Sequence, residues 1–299
     1  MPRVSVIMPS YNHENFIYDS IDSVLKQSFQ DFELIIIDDA SVDNSKDIIN
    51  FFKQKDPRIK VKFHQKNLGI EKTINEALNI SKGDFIAFTA SDDIWLPCKL
   101  ENQLSVINEN NDLIVWSDGQ IINENNELIG KTFLERLGAL KRKKSGDLFQ
   151  DLLEGNYIFG TTIMVKSDNI KDIKFDGRFK YLNDYKFIIH LAERFKFHFI
   201  SENQAYYRLH GNNTVITEKR ECNFEDILIR EYFLKKYGKN IHKKTKWSIY
   251  NQLRMLYSDF EDKKKSKYYL KEALYLDPIA TLRYISIEVT FNVLKRSKI

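Results

Sequence analysis

Short apolar runs alternate with amphipathic stretches through residues 1–115. Apolar runs bounded by polar turns are typical of buried strands, and apolar residues spaced three and four apart are typical of the helices that cover them. The alternation predicts an α/β fold with a doubly wound, mostly parallel sheet. Strands are expected at 4–8, 32–37, 59–63 and 84–88, and helices at 16–27, 45–54 and 70–80.

The pattern becomes mixed after residue 115 and mainly helical from residue 224. Residues 285–293 alternate apolar and polar side chains as a strand would, although their neighbours follow a helical period, so an added strand and a membrane-touching helix both remain open. The other expected elements are strands at 113–116, 161–165 and 205–209 and helices at 148–153, 184–195, 224–237, 247–260 and 263–275, with a break at Asp277-Pro278.

Composition fits a globular protein: 42% of the 299 residues are hydrophobic, which is enough for a sizeable core. The longest aliphatic run, Leu34-Ile35-Ile36-Ile37, is far short of the ~20 apolar residues of a spanning helix. The first residues enter a strand pattern without an export signal, and Cys98 and Cys222 are too few for a disulfide framework. We therefore expect a cytoplasmic protein.

Charge is distributed unevenly along the chain. Residues 219–299 carry a surplus of nine positive charges, whereas residues 1–218 carry a surplus of five negative ones. An acidic front half opposes a nucleic-acid groove, which needs basic residues, so no nucleic-acid partner is expected. The basic segment is suited to peripheral contact with an anionic lipid surface, and a solvated helical face or a dimer contact would have the same composition.

Polar residues follow each of the first two predicted strands, where parallel sheets bind their ligands. In the turn Pro9-Ser10-Tyr11-Asn12, Tyr11 offers a flat face for a base, and Asn12 can bind a ligand or cap the next helix. After the second strand, one carboxylate of Asp38-Asp39 can accept a hydrogen bond from a uracil or a ribose, while Asp43 or Ser45 caps the helix that follows.

The third and fourth strands end in two further candidate sites. Asn67-Leu68-Gly69 begins a helix whose free backbone amides can face a phosphate or a base, although Gly69 also suits a plain turn. Ser91-Asp92-Asp93 places two carboxylates at the end of the fourth strand, and Mg²⁺ and Mn²⁺ prefer such oxygen ligands. An ordinary acidic turn is the alternative.

Two candidates lie beyond these strands. Asp184, in Asn183-Asp184-Tyr185, stands at the start of an amphipathic helix and could be only a cap. His210, in Tyr207-Arg208-Leu209-His210, is a lone histidine beside a turn, and such a residue is more often structural than a ligand.

Together and in this order, these motifs resemble the family 2 inverting glycosyltransferases over residues 4–216. The resemblance rests on Val4-Ser5-Val6-Ile7-Met8-Pro9-Ser10-Tyr11-Asn12, Asp38-Asp39-Ala40-Ser41-Val42-Asp43-Asn44-Ser45, Asn67-Leu68-Gly69, Ser91-Asp92-Asp93, Asn183-Asp184-Tyr185 and Tyr207-Arg208-Leu209-His210. It implies a Rossmann-like GT-A domain over residues 1–218, with the nucleotide-sugar site in 1–115 and the acceptor site in 116–218, followed by a basic, mainly helical extension over 219–299.

The resemblance also implies roles for particular residues. Asp184 is the catalytic base, and Asp92 and His210 bind a divalent cation, Mn²⁺ or Mg²⁺. The family often has a carboxylate where this chain has Ala90, which we interpret as a variation. The residues expected to hold the nucleotide-sugar are Pro9, Ser10, Tyr11, Asn12, Asp39, Asn67, Gly69, Ser91, Asp92 and Asp93.

The expected activity is transfer of a sugar, with inversion, from a nucleotide-sugar donor such as a UDP-sugar to a hydroxyl of a glycan or lipid-linked glycan. The family implies a role in bacterial surface polysaccharide assembly. A nucleotidyltransferase would need a Gly- and Lys/Arg-rich loop after the first strand, which is missing here. A phospho-acceptor signalling module would place its acidic pair after the first strand rather than the second. A degenerate sugar-binding protein remains an alternative because of Ala90.

Overall fold

The computed structural model describes residues 1–107 and 112–296, with side chains as far as residue 287. The chain divides into two compact units. The first unit contains residues 1–149 and 156–217, and the second contains Gln150–Gly155 and Glu218–Ile299. The second unit thus includes residues 150–155, which lie within the 1–218 domain that the family resemblance implies. The assignment of donor and acceptor sites to 1–115 and 116–218 stays a prediction.

The first unit contains, among the described residues, two sheets together with several helices. A seven-stranded sheet has the order β10-β6-β9-β4-β1-β2-β3, and a four-stranded sheet has the order β5-β11-β7-β8. The strands are β1 Val4–Ser10, β2 Phe32–Asp38, β3 Ile59–Phe63, β4 Phe85–Phe88, β5 Ile94–Trp95, β6 Leu113–Ser117, β7 Gln120–Ile122, β8 Leu128–Thr132, β9 Met164–Lys166, β10 Lys196–Ile200 and β11 Ala205–Arg208.

The large sheet is mostly parallel, which confirms the predicted fold class: of its strands, only β9 pairs antiparallel with its neighbours. β2 is buried along its whole length, as expected for a strand covered on both faces. Ser10 at the end of β1 pairs with Asp38, and Asp38 pairs with Phe63 at the end of β3. The loops after β1, β2 and β3 therefore leave the sheet at the same edge.

The small sheet connects parts of the chain that are far apart in sequence. β5 follows the acidic turn after β4 and pairs antiparallel with β11, with Trp95 opposite Ala205. β11 also runs parallel to β7, with Arg208 opposite Ile122. As a result, the residues just before β5 lie beside those just after β11.

The helices agree with the sequence pattern in most places, and the region left open, 285–293, is helical. Side chains beyond residue 287 and the terminal Ser297 and Lys298 lie outside the described residues. The helices are α1 Ile17–Leu25, α2 Ser45–Lys55, α3 Ile70–Ile80, α4 Lys99–Ile107, α5 Phe133–Arg136, α6 Phe149–Leu153, α7 Asn183–Ala192, α8 Thr214–Thr217, α9 Lys219–Tyr237, α10 Lys243–Asp259, α11 Lys263–Leu276 and α12 Pro278–Arg296.

The strand predicted at 161–165 is wrong in its first half. Gly160–Thr162 forms a 3₁₀ turn, and the strand begins at Met164. The turn is closed by backbone bonds from Thr162 N–H to the Phe159 carbonyl and from Ile163 N–H to the Gly160 carbonyl, and Thr162 Oγ1 lies 2.9 Å from the Ser117 carbonyl oxygen. The sequence pattern also missed α4, the β7–β8 hairpin and β10.

The second unit is helical, as predicted for the extension. The rings of Tyr257 on α10 and Tyr269 on α11 stack with centroids 5.7 Å apart, and both hydroxyls donate to Glu231 on α9. Trp247 donates from its indole nitrogen to Thr281 on α12 over 2.8 Å. Among the helices of the described residues, none combines the length and the apolar content that crossing a membrane requires.

Candidate active site

The loops after β1 and β2 are joined by hydrogen bonds. The Asn12 amide oxygen accepts from the backbone N–H of Val42 at 2.9 Å, and the Asn12 backbone donates to Ser41 Oγ at 2.8 Å. Asn12 adopts a left-handed backbone with φ of 53°, which asparagine tolerates better than most residues. Its side chain thus fixes the loop instead of capping α1.

Asp38 and Asp39 have different environments although they are adjacent. Asp38 is fully buried, and its carboxylate accepts from the hydroxyls of Ser10 and Ser41. It also accepts the backbone N–H of Ser41 at 2.9 Å. Asp38 therefore shapes the loop, and Ser10 serves the same network.

Asp39 holds the turn between β3 and α3. Its Oδ1 accepts from Leu68 N–H at 2.8 Å and lies 2.7 Å from His64 Nδ1, and its Oδ2 accepts from Gly69 N–H at 2.8 Å. An ionised carboxylate has about four acceptor positions, so these three bonds leave one, on Oδ2. Two of the amides predicted to face the donor, those of Leu68 and Gly69, thus bind Asp39 instead.

Gly69 is required at that turn. Its backbone has φ of 94° and ψ of 154°, a region open essentially to glycine alone. A Cβ there would lie 2.6 Å from a carboxylate oxygen of Glu71. Asn67 and Tyr11 are both exposed at this edge of the sheet, Tyr11 with 44% of its surface, and Pro9 is partly exposed.

Asp92 and His210 come together across 118 residues: His210 Nε2 lies 3.0 Å from Asp92 Oδ2. Nδ1 of His210 lies 3.2 Å from the backbone nitrogen of Asn212, and Nε2 also lies 3.2 Å from Asn213 Nδ2, so both ring nitrogens have polar neighbours besides Asp92. A ring nitrogen of His13 belongs to the same group, whose ligand atoms all lie within 4.8 Å of one another. His13 also lies 2.7 Å, through Nδ1, from Ser91 Oγ.

The charge state of Asp92 suits cation binding. Burial raises the pKa of Asp92, but the hydrogen bond with His210 and the proximity of His13 outweigh burial and bring this pKa below its ordinary value. The carboxylate is therefore ionised at neutral pH.

Asp93 faces the protein interior. Its Oδ2 bonds to Thr161 Oγ1 at 2.6 Å, and its Oδ1 accepts from the backbone N–H of Arg208 at 3.1 Å. Burial and the negative charge of Asp92 raise the pKa of Asp93 to about 8, so it carries a proton at neutral pH. Both carboxylate oxygens of Asp93 are used in these contacts, which give it a structural role rather than the direct donor contact predicted for it.

Arg208 supports the acidic turn, a role that the sequence analysis did not assign. Its side chain is 1% exposed, and its Nε donates to the carbonyl oxygen of Asp92 at 2.7 Å. Its guanidinium lies 5.0 Å from the ring centroid of Phe16, and that ring packs 4.5 Å from His210. Arg208 therefore holds the backbone of Asp92 beside His210.

Asp184 lies in the first turn of α7 and remains partly exposed. Its Oδ1 accepts the backbone N–H of Tyr185 at 2.7 Å, and Asn156 Nδ2 lies 3.4 Å from its Oδ2. Burial raises the pKa of Asp184 above its ordinary value. A carboxylate with a raised pKa is suited to accept a proton.

A cavity of about 360 Å³ opens next to His210. It lies between the β7–β8 turn and the segment after β11, and Glu124 on that turn accepts the backbone N–H of Gly211 at 3.0 Å. The cavity is lined by Asn123, Glu124, Asn125, Leu209, His210, Gly211 and Ile216.

The residues around Asp92 fit a divalent cation. They supply one carboxylate and two imidazoles, which are ligand types that Mn²⁺ accepts. Their ligand atoms lie close enough together for one ion to be held between them.

Comparison with known proteins identifies the class. The family described as Glycosyl transferase family 2 matches residues 5–174. An uncharacterized glycosyltransferase of Methanocaldococcus jannaschii is 32% identical over 242 residues, which cover 80% of each chain. The chain belongs to glycosyl transferase family 2, and it is a nucleotide-sugar glycosyltransferase.

Two further proteins are informative. The Escherichia coli UDP-Glc:alpha-D-GlcNAc-diphosphoundecaprenol beta-1,3-glucosyltransferase WfgD is 44% identical over 119 residues, which cover 40% of this chain and 46% of that one. The mannosyltransferase PcManGT of Pyrobaculum calidifontis, solved with GDP-Man and Mn²⁺, matches with a TM-score of 0.65 at 12% identity, covering 98% of this chain and 81% of that one. This likeness shows the GT-A fold.

Proposed function

We propose that this glycosyltransferase is metal-dependent and inverting, and that it transfers a sugar from a UDP-sugar to a hydroxyl of a lipid-linked or surface glycan. The observation that carries the proposal is the group formed by Asp92, His210 and His13 at the end of β4. A neutral binding pocket would not need a buried, ionised carboxylate beside two imidazoles.

The donor would lie along the edge where β1, β2 and β4 end. Tyr11 is exposed there and can stack on the base, and the open acceptor position on Asp39 Oδ2 suits an N–H of the base. Asn12 and Ser10 would act on the donor indirectly, by holding the two loops together. Uracil is the base we favour, because the relative from Escherichia coli is named for UDP-Glc.

Asp92 and His210 would hold Mn²⁺ or Mg²⁺, and a bound cation would neutralise the diphosphate that leaves. The structure of PcManGT with Mn²⁺ supports this assignment by analogy of fold. Arg208 keeps Asp92 in position through its carbonyl oxygen, and Asp93 anchors the same turn to Thr161 and β11.

Asp184 would take the proton from the acceptor hydroxyl. Its carboxylate is partly exposed, and its raised pKa makes it a stronger base than an ordinary aspartate. Attack of the activated hydroxyl on the anomeric carbon, opposite the leaving diphosphate, would invert that centre in one displacement. No covalent intermediate with the protein is needed.

The acceptor would be presented at a lipid surface. α11 has an exposed face on which Lys264, Lys267, Tyr268, Lys271 and Tyr275 follow one another at helical spacing. Tyrosine favours the membrane interface, and each lysine near an anionic surface contributes ~1 kcal/mol of attraction. Lys263 and Lys264 lie in the first turn of α11, where positive charge opposes the helix dipole, so they contribute little to helix stability. An anionic lipid surface is the partner that fits this face.

A donor-hydrolysis screen tests the activity without knowledge of the acceptor. The full chain is incubated with UDP-, GDP- and dTDP-sugars, with Mn²⁺ or with EDTA, and the nucleotide released is measured. We expect slow hydrolysis of at least one UDP-sugar that requires Mn²⁺. Binding of UDP-sugars without any turnover would indicate the degenerate binding protein, and hydrolysis in EDTA would contradict metal dependence.

A further inference from the structure

Three side chains, rather than two, converge at the metal position. His13 lies in the loop between β1 and α1, whereas His210 follows β11, so the two histidines reach Asp92 from different parts of the fold. One ring nitrogen of His13, one of His210 and one carboxylate oxygen of Asp92 all lie within 4.8 Å of one another. The His13 and His210 rings meet edge to face, with centroids 5.8 Å apart.

His13 is held in place by contacts on both sides. Its backbone N–H donates to Ser45 Oγ at 3.0 Å, and Phe16 lies beside its ring with centroids 6.2 Å apart. Its Nδ1 lies 2.7 Å from Ser91 Oγ. When that hydroxyl accepts, the proton sits on Nδ1 and Nε2 keeps its lone pair, which is how histidine ligands are usually oriented by a second partner.

His13 and His210 differ in the contacts of their ring nitrogens. Nε2 of His210 has two polar neighbours, Asp92 Oδ2 at 3.0 Å and Asn213 Nδ2 at 3.2 Å. For His13, the contact with Ser91 allows the tautomer that coordination needs. Ser91, which the sequence analysis placed among the donor-binding residues, is 2% exposed and therefore acts on the site through His13.

We propose that His13 is the third protein ligand of the catalytic cation, oriented by Ser91, and that the site consequently prefers Mn²⁺ to Mg²⁺. Two imidazoles and one carboxylate favour a transition metal, whereas Mg²⁺ prefers oxygen ligands and retains water. This inference rests on the proposed metal-dependent function, and it adds the ligand that sets the choice of metal.

The test measures binding of Mn²⁺ and of Mg²⁺ to the full chain in the presence of UDP, by calorimetry, for the parent and His13→Ala. We expect His13→Ala to weaken the binding of Mn²⁺ by about tenfold or more and the binding of Mg²⁺ by less than about threefold. The matched control is His198→Ala, which removes a partly exposed histidine from β10 and should leave both affinities unchanged.

A spectroscopic measurement on the parent chain avoids any question about folding of the variant. Pulsed EPR of bound Mn²⁺ in protein labelled with ¹⁵N at histidine should detect two coordinated imidazoles. One imidazole, or equal Mn²⁺ affinity in parent and His13→Ala, would overturn the role of His13 and leave the proposed function standing. A parent that binds no Mn²⁺ with UDP would overturn both.

Discussion

His64 Nδ1 lies 2.7 Å from Asp39 Oδ1, while its other ring nitrogen lies 3.0 Å from Glu76 Oε2. Burial alone would lower the pKa of His64, but the hydrogen bonds with Asp39 and Glu76 outweigh burial and raise it. The imidazole between two carboxylates thus fixes Asp39, which we assign to binding of the donor's base. In the sequence, His64 is only a lone histidine after a predicted strand, and no motif indicates this contact.

His64→Gln should lower stability in a way that depends on pH. Because the pKa of His64 is raised in the folded protein, its contribution is complete below the ordinary histidine value of about 6.5 and is lost as pH rises through the folded value. The difference in unfolding free energy between parent and variant should therefore be larger at pH 6 than at pH 9. Urea unfolding at both pH values measures it.

The control for His64→Gln is Lys62→Ala, which removes an exposed partner of the same Glu76. Exposed ion pairs contribute about 0–1 kcal/mol, so this variant should lose little at either pH. A His64→Gln penalty that is the same at both pH values would mean that folding does not raise the pKa of His64.

Asp184→Asn should keep the affinity for UDP and lose sugar transfer by a factor on the order of 10²–10⁴, the usual contribution of a positioned base. Since a base acts only when it is deprotonated, activity of the parent should fall as pH decreases. The raised pKa of Asp184 should bring this decline to a higher pH than an ordinary aspartate would. A pH–rate profile of the parent and the turnover of the variant measure both effects.

Near-normal turnover of Asp184→Asn would remove Asp184 from the role of base. Asp168→Asn is the matched control, because Asp168 is an exposed residue that pairs only with Lys171 at the surface in the contacts the structure gives for it. It should leave turnover unchanged.

Three charge reversals on α11, Lys264→Glu, Lys267→Glu and Lys271→Glu, should abolish binding to anionic vesicles. All three side chains are exposed, so the fold should be retained. Co-sedimentation with anionic and with neutral vesicles, at low and at high salt, measures the effect. We expect the parent to bind anionic vesicles only, and less at high salt.

The matched control reverses three exposed lysines of the first unit, Lys53, Lys66 and Lys131, which changes the net charge equally. It should keep most of the binding. Equal loss in both triple variants would indicate a response to net charge, and no binding of the parent would refute the lipid contact.

The sequence predicted β1, β2, β3, β4 and β6 of the large sheet because each is a short run rich in apolar residues between polar turns, whereas it missed β10. It could not distinguish Asp38 from Asp39, because both are buried and differ only in whether they bond within their own loop or to the turn before α3. The contact between Asp92 and His210 depends on the pairing of β5 with β11, two very short strands without a periodic pattern. His13 showed no motif that would mark it as a ligand.

The 285–293 segment shows the limit of periodicity. Its alternating apolar residues suit a strand, yet the chain is helical there, and Ile287 is 68% exposed rather than buried. The segment continues a helix whose start packs through Thr281 on Trp247. Alternation over nine residues is therefore not sufficient to assign a strand.

Metal-dependent donor binding through Asp92 is most directly tested by measuring the affinity for UDP with and without Mn²⁺ in the parent and in Asp92→Asn. Asparagine can still accept from His210, so the melting temperature should change little even though Asp92 is largely buried. We predict that Mn²⁺ strengthens UDP binding by about tenfold or more in the parent and has no effect in Asp92→Asn. Equal strengthening by Mn²⁺ in both proteins would contradict the account.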